Sequence, residues 1–484
     1  MNFTQTTPSH NAPQDLAAHI DRIFALQQVN RPRIGQTTTK ERIAKLRRLH
    51  KALLAHRGEI REAMYRDFRK NPSEADLTEI YTVTSEIKHP LAHLKKWMKP
   101  HRVPTPLAFT GSRSYIHHDP KGVVLIISPW NYPVNLTFAP LVSAIAAGNC
   151  AMIKPSEYTP HASAVIRRIV EELFDEGEVA VIEGDHRAGA ALLEKPFNHI
   201  FFTGSPQVGK IVMAAAARHL SSVTLELGGK SPVVVGKGAN LKEVAQKVIW
   251  AKCINGGQTC VAPDYLYVHE DDRDKLLRLM QESLGKYYGE SEEARATSPD
   301  FCRIVNDKHF AHVVALLEDA RASGARIVTG GLIYAEERYV SPTILTDVPL
   351  DSAIMQEEIF GPLLPVFAYR SLQEPLAAIN ARPKALSLYV FSRDPRIVTE
   401  VLNSTASGTA CVNDCAIQFS QSYLPFGGDN DSGIGKSRGF FGFEAFSNAR
   451  AVLKQPTRWG GLQLLMPPYT KQRQQLIDLT IRWF

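Results

Sequence analysis

Gly122-Val-Val-Leu-Ile-Ile-Ser128, followed at once by Pro129-Trp130-Asn131-Tyr132-Pro133, decides the architecture. The run is apolar throughout and of strand length. That is the pattern of a strand covered on both faces, as in a parallel sheet, because a half-exposed strand would alternate. Comparable runs recur at Cys150–Ile153, Val179–Ile182, His199–Phe202, Val223–Leu227 and Pro232–Val235. Helix-period segments separate several of them, as at Leu141–Ala147 and Ala162–Phe174. Alternating strands and helices predict a doubly wound α/β domain. Ligands gather at the carboxyl ends of strands in such sheets. The polar groups just beyond each run are therefore the first candidates for a site.

Upstream of this run, residues 15–100 read helical. Ile43, Leu46, Leu49, Leu53 and Leu54 recur at helix spacing with Lys and Arg between them, and the pattern stops near Lys99-Pro100. Residues 1–14, rich in Thr, Ser, Asn and Pro, predict disorder. Residues 102–120 change character, with Val103-Pro-Thr-Pro106 and then Ser114-Tyr-Ile-His-His118, and suggest an extended arm or hairpin. Downstream, a second α/β block runs from about 237 to 428, with helices near Leu241–Ile254 and Lys308–Ala322. Residues 456–484 form a tail with a break at Pro467-Pro468, and no internal repeat is visible.

At 484 residues the chain is too long for one small core, so two or three domains are expected. Hydrophobic residues make up 44% and charged residues 22%, an ordinary globular balance. A net charge of +7 is thin over this length. With no basic stripe interleaved with aromatics, nucleic acid is a poor prospect. The six cysteines contain no C-x-x-C pair. Cys411 and Cys415 have no nearby histidines, so no metal site is expected. Reduced thiols and the polar stretch Met1–Ala18, which has no signal-peptide core, suit a cytoplasmic protein. No apolar run is long enough to span a membrane.

The stretch Trp250-Ala-Lys-Cys253-Ile254-Asn-Gly-Gly-Gln-Thr-Cys260 begins at helical spacing and ends in glycine-softened backbone. A thiol delivered there can act as a nucleophile, with backbone N–H groups facing what it attacks. Upstream, Thr224-Leu-Glu226-Leu-Gly-Gly-Lys-Ser-Pro232 puts a carboxylate on an apolar strand that stops at a double glycine. A buried carboxylate beside a thiol has the makings of a base. After the strand at 122–128, the Asn131 amide could donate to a developing oxyanion, although a proline-rich turn would also use an Asn there. Met152-Ile-Lys154-Pro-Ser-Glu157 could hold ribose hydroxyls or be a solvated loop. Phe202-Thr-Gly204-Ser205-Pro-Gln-Val208-Gly209-Lys210 is a glycine turn opening a helix, which can cradle a pyrophosphate. It imitates a P-loop, but Ile211 stands where Ser or Thr should ligate magnesium. Gly433-Ile-Gly435 follows no convincing strand and reads as a decoy. Gln356-Glu357-Glu358-Ile-Phe360-Gly-Pro362 joins acidic residues to an aromatic and a turn.

Taken together, in this order and over about residues 40–455, these motifs resemble the NAD(P)-dependent aldehyde dehydrogenase superfamily. Thr224–Pro232 is similar to its glutamate signature and Gly257–Cys260 to its cysteine signature. Gly257-Gln-Thr-Cys-Val-Ala-Pro-Asp264, Phe201–Ser205, Gln356–Pro362 and Leu424-Pro-Phe-Gly-Gly428 look closest to the class 3-type and fatty aldehyde dehydrogenases.

The resemblance implies a Rossmann-type cofactor-binding domain (15–101 and 121–227), an α/β catalytic domain (228–428) and a bridging oligomerisation arm (102–120 and 445–455) that builds a homodimer. It implies Cys260 as nucleophile, Glu226 as the base for deacylation, and Asn131 with the Cys260 N–H as the oxyanion site. Lys154 and Glu157 would hold the adenosine ribose. Gly204 and Ser205 would lie by the cofactor phosphates, with Val208 and Trp130 among the other contacts. Glu358 would bind the nicotinamide ribose, and Phe360 would pack near the nicotinamide. Glu157 would contact the ribose 2′-hydroxyl and crowd a 2′-phosphate, which favours NAD over NADP. Asp429-Asn-Asp431 departs from the family pattern in being more acidic and polar.

The activity implied is oxidation of an aldehyde to a carboxylic acid through a cysteine thiohemiacetal and thioester. Two alternatives stand beside it: a coenzyme A-dependent acylating enzyme, disfavoured by Glu226, and a non-catalytic scaffold, which need keep none of these residues. Trp250 and Ile254, four apart, with Tyr132 and Val134 beside Asn131, are expected to line an apolar tunnel for a medium- or long-chain aliphatic aldehyde or an aromatic one. The apolar and basic residues of the tail suggest that it gates this tunnel or lies peripherally on a membrane.

Overall fold

The computed structural model describes residues 13–456 and 465–483. The expected disorder at 1–14 falls largely outside these residues, as do part of the tail and Phe484. Pro13 already opens the first helix, Pro13–Gly35.

The helical N-terminal region continues through Thr39–Ala55, Arg57–Phe68 and Thr82–Trp97. Thr38 and Glu41 close a reciprocal capping box on the second of these helices. Just before Thr82 the backbone widens into a π-helical turn over Asp76–Tyr81. Such turns insert a residue and rotate the next turns of the helix, and they are frequent at functional sites. Here the turn sends Glu79 inward, where it is fully buried and pairs with the equally buried Lys70 at 3.2 Å. Glu79 also accepts the Asn135 N–H at 2.9 Å. Lys70 Nζ lies 4.7 Å from the centre of the Tyr132 ring. A buried ion pair survives desolvation only with such additional partners.

Six strands form the first sheet, in the order Gly433–Ile434, Ser222–Glu226, His199–Thr203, Val123–Ile127, Cys150–Lys154 and Val179–Val181. All are parallel except the short edge strand, which runs antiparallel against Ser222–Glu226. The central strand is buried on both faces. Val124 and Ile126 pack with Phe138 and Ile166 from the helices Asn135–Ala147 and Pro160–Leu173. Val123 and Leu125 pack on the other side with Ile20, Ile23 and Val212. Because the strands are parallel, Ile127, Lys154, Thr203 and Glu226 end along one edge.

The second sheet has seven strands: Arg326–Thr329, Thr343–Thr346, Leu363–Tyr369, Tyr265–His269, Pro232–Val235, Ala385–Phe391 and Ser407–Val412. Only the Arg326–Thr329 edge is antiparallel. The helix expected at Leu241–Ile254 ends at Cys253, because Asn255 and Gly256 turn to φ of 54° and 61° and cannot continue it.

The arm is a three-stranded antiparallel sheet of His101–Val103, Arg113–Pro120 and Ser447–Lys454, the last pair in register from Ser447 against Pro120 to Lys454 against Arg113. The tail helix Lys471–Trp483 has no buried residue among those described. Among the described residues no helix is long and apolar enough to cross a membrane.

Candidate active site

The Cys260 loop is built by glycine and pinned by amides. Gly257 has φ of 77°, and a Cβ there would fall 2.3 Å from the Gly361 carbonyl oxygen, so the position requires glycine. Gln258 is fully buried; its amide donates to the carbonyls of Asn255 (2.8 Å) and Arg303 (3.0 Å), and its oxygen accepts the Val305 N–H at 2.9 Å. The Asn255 amide donates to the Asn131 carbonyl at 2.8 Å. The Asn131 amide donates to the Gln258 carbonyl at 3.1 Å. The loop after the central strand and the loop carrying the thiol are thus stitched together.

Cys260 is partly accessible, whereas Cys150, Cys253, Cys302 and Cys415 are buried. Burial pushes its thiol up to about 12, with Glu358 and Glu226 adding in the same direction. Glu226 ends its strand nearby and is buried. Its Oε1 accepts the Ser437 hydroxyl. Burial raises this carboxyl above its ordinary range, opposed first by the positive charge of Arg438. Both Cys260 and Glu226 line one cavity of about 270 Å³, with Tyr132, Trp250 and Ile254 on its wall. Leu77 and Tyr81 from the π-turn line it too, with Phe419 and Phe426 from the C-terminal part of the chain.

One expectation needs correction. Val134 is not on the cavity wall: it is fully buried in the core with Phe138 and Ile153, because the helix starts at Asn135 and turns Val134 inward. Gly433-Ile-Gly435 has a structural part in the site. Gly433 and Ile434 form the edge strand, with Gly433 opposite Glu226, and so deliver Ser437 and Arg438 to the site. Asn131 does not line the cavity; its amide is spent on the Gln258 carbonyl beside the thiol. Sequence reasoning missed Ser437, Arg438 and the π-turn. The turn of Arg438 to a φ of 73° leaves no signal in composition.

Residues suited to a dinucleotide lie along the edge where the first sheet's strands end. Lys154 is buried and pairs with Glu157 at 2.6 Å. Ser205 caps the helix Pro206–Arg218 and accepts the Val208 N–H at 3.4 Å, while the Val208 side chain is exposed. A Cβ on Gly204 would meet the Phe202 ring at 2.5 Å. Across the cleft, a Cβ on Gly228 would fall 2.1 Å from the Glu358 carboxylate. Burial pushes that carboxyl up to about 8, with Asp264 adding to the shift. Trp130 and Phe360 meet edge to face at 5.3 Å, with Phe360 held at φ of 48°. Two buried hydroxyls at adjacent strand ends, Ser128 and Thr203, have no hydrogen-bond partner. Orphaned buried polar groups are rare and call for a ligand or water, so this edge fits a nucleotide rich in acceptors.

A strand-end cleft fitted for a dinucleotide, opening on a thiol and a buried carboxylate, is the arrangement of a dehydrogenase. Residues 2–452 match the family model described as "Aldehyde dehydrogenase family". The chain is 45% identical to the 4,4'-diaponeurosporen-aldehyde dehydrogenase of Staphylococcus aureus, over 88% of this chain and 91% of that protein. It is 42% identical to aldehyde dehydrogenase family 3 member B3 of Mus musculus, over 93% and 92%. The solved structure of substrate-bound Staphylococcus aureus AldH superposes with a TM-score of 0.91 at 42% identity, covering 96% of this chain and 99% of that one. The chain belongs to the aldehyde dehydrogenase family, in its class 3-type branch, and is an NAD(P)-dependent oxidoreductase of aldehydes.

Proposed function

We propose that this enzyme oxidises medium- or long-chain aliphatic aldehydes, or bulky aromatic ones, to the carboxylic acid, with NAD as the preferred acceptor. The observation that carries this is the cavity itself: a largely apolar wall, including Trp250, Ile254 and Tyr81, that closes on Cys260 and Glu226. Its relative in Staphylococcus aureus is named for a diaponeurosporene aldehyde, which agrees with an apolar substrate.

Cys260 adds to the aldehyde carbonyl. Since burial keeps its thiol protonated, the thiol proton must leave to solvent as the C–S bond forms. The N–H of Cys260 and the Asn131 amide, released from the Gln258 carbonyl, stabilise the oxyanion. Lys154 and Glu157 would hold the adenosine ribose of the nicotinamide cofactor and Glu358 its other ribose, and the cofactor, when bound, would supply the hydride acceptor. Water then attacks the Cys260 thioester as Glu226 takes its proton, and the acid is released. The Lys154 ion pair fixes Glu157 where a 2′-phosphate would bring like charge, which supports NAD. The arm strands Arg113–Pro120 and Ser447–Lys454 suit pairing of two subunits, because every residue of Ser447–Lys454 after Ser447 stays exposed or half-exposed in the single chain. A monomer by light scattering at micromolar concentration would count against that assembly.

The test is a stopped-flow trace with enzyme comparable to cofactor. Glu226→Gln keeps the shape and removes the base, so a burst of reduced nicotinamide should persist while later turnover slows. Loss of the burst itself would place Glu226 in activating Cys260. Acceleration by coenzyme A would favour the acylating reading.

A further inference from the structure

Arg438 is buried to 6% exposure yet, among the described residues, its guanidinium makes no hydrogen bond or ion pair. The side chain it meets is Phe419, with the guanidinium 5.9 Å from the ring centre. Buried guanidinium groups are normally paired. This one faces the cavity that Cys260 and Glu226 share.

Its backbone explains how it gets there. At φ of 73° Arg438 interrupts the chain between Ser437 and the helix Gly439–Ala445. The residue before it donates its hydroxyl to Glu226. The residue after it donates its N–H to Glu86 Oε1 at 2.7 Å. Arg438 is therefore clamped between two buried carboxylates by its own neighbours, and it salt-bridges neither. Gly439 cannot be replaced freely, since a Cβ would fall 2.0 Å from the Ser422 carbonyl oxygen.

We propose that Arg438 is a positioning residue for thioester hydrolysis: its unpaired guanidinium, facing the cavity that Glu226 and Cys260 line, holds positive charge where Glu226 must work as a base. The inference rests on Glu226 acting as the hydrolytic base. In that step water bonds through oxygen to the thioester carbonyl carbon and a proton passes to Glu226. The C–S bond breaks and the proton ends on the Cys260 sulfur, giving acid and thiol with no change of oxidation state.

The charged groups around Glu226 are Arg438 and Lys436 on its own side of the edge strand, Glu86 from the helix Thr82–Trp97, and Cys260 across the cavity. Lys436 is committed to the carbonyls of Gly427 (2.7 Å) and Gly428 (3.0 Å). It ranks behind Arg438 in its effect on Glu226. Glu86 is raised by burial and, like Glu226, is drawn back first by Arg438. The imidazole of His89, on the same helix as Glu86, lies against Gly439, and burial, then the neighbouring His93, lowers its pKa below the ordinary range. The charge of Arg438 thus opposes the effect of burial on both carboxylates without pairing with either.

Decay of the Cys260 thioester, followed by rapid quench and intact mass across the pH range, reads this directly. In the unmodified enzyme the rate rises with pH as Glu226 ionises. Arg438→Met should move that midpoint up by on the order of one pH unit, slowing decay about tenfold below it with recovery above it. Arg438→Lys should restore most of the shift. Equal slowing at every pH in Arg438→Met, with the midpoint unmoved, overturns the proposal and points to a packing or substrate-binding role. Should Arg438→Met fail to fold, Arg438→Gln decides: a midpoint that stays where it is overturns the proposal. Glu226→Gln separates the levels. Wild-type decay in that variant removes the base assignment itself, whereas slow decay there with unmoved midpoints elsewhere removes only the role of Arg438.

Discussion

The hydroxyls of Tyr132 and Thr259 lie 2.6 Å apart. Each sits one residue from a member of the site, Tyr132 after Asn131 and Thr259 before Cys260, so this bond ties the loop after the central strand to the loop that presents the thiol. Both side chains are buried. Tyr132→Phe leaves the Thr259 hydroxyl without that partner, at an expected cost of about 1–3 kcal/mol. The bond between the Asn131 amide and the Gln258 carbonyl remains, so activity should fall severalfold rather than vanish. Thermal unfolding and kcat/KM together check this; an unchanged Tm with abolished activity would contradict it.

Cys260→Ala should abolish aldehyde oxidation while cofactor binding persists. Cys253→Ala should leave turnover intact, because Cys253 ends a helix inside the core and its thiol is pushed up to about 12 by burial. Its cost should be stability alone, about 1 kcal/mol for the small volume removed. Turnover assays with fluorescence titration of the cofactor distinguish the two. Equal loss from both variants would sink the assignment of the nucleophile.

Much of this site is legible in the sequence, and the reasons are physical. The run 122–128 is apolar at every position because both of its faces are covered, and that single fact predicts the sheet. Cys260 and Glu226 can be paired because each ends an element in a glycine turn. Val134 misleads because an apolar residue beside a site reads the same whether it faces substrate or core; only the onset of the helix at Asn135 decides. The π-turn Asp76–Tyr81 is invisible because one inserted residue changes no composition, yet it puts Leu77 and Tyr81 on the cavity. Ser437 and Arg438 reach Glu226 through an edge strand of two residues, too short for any periodicity to announce.

Glu358 gives a stability prediction with a definite sign. Its carboxyl is held up to about 8 by burial, against an ordinary value near 4.5 in the unfolded chain. Between those values the folded protein keeps a proton that the unfolded chain has lost. Folding is therefore weakened progressively as pH rises through that window. Glu358→Gln, which is neutral throughout, should raise Tm relative to the unmodified protein at pH 8 more than at pH 5. The same variant should weaken NAD binding, since the amide is a poorer acceptor for ribose hydroxyls. Calorimetry at the two pH values tests the sign; a larger gain at the acidic end would refute it.

The apolar wall makes chain length the most direct probe of substrate. Each methylene buried along Trp250, Ile254 and Tyr81 should contribute about 0.8 kcal/mol, roughly a fourfold gain in kcat/KM per carbon, until the cavity is filled. The series from acetaldehyde upward should therefore climb and then level. Trp250→Ala should flatten the climb for long chains while leaving the shortest aldehydes nearly unaffected, because they do not reach that part of the wall. The tail enters the same experiment. None of the described residues of Lys471–Trp483 lines the cavity, and Leu479 and Ile481 are exposed on that helix. Removing residues 470–484 should therefore leave the soluble-substrate series unchanged, while reducing binding to anionic lipid vesicles if the helix lies on a membrane surface. A flat or falling series across chain lengths would remove the apolar substrate class. A series altered by the truncation would instead bring the tail to the mouth of the cavity.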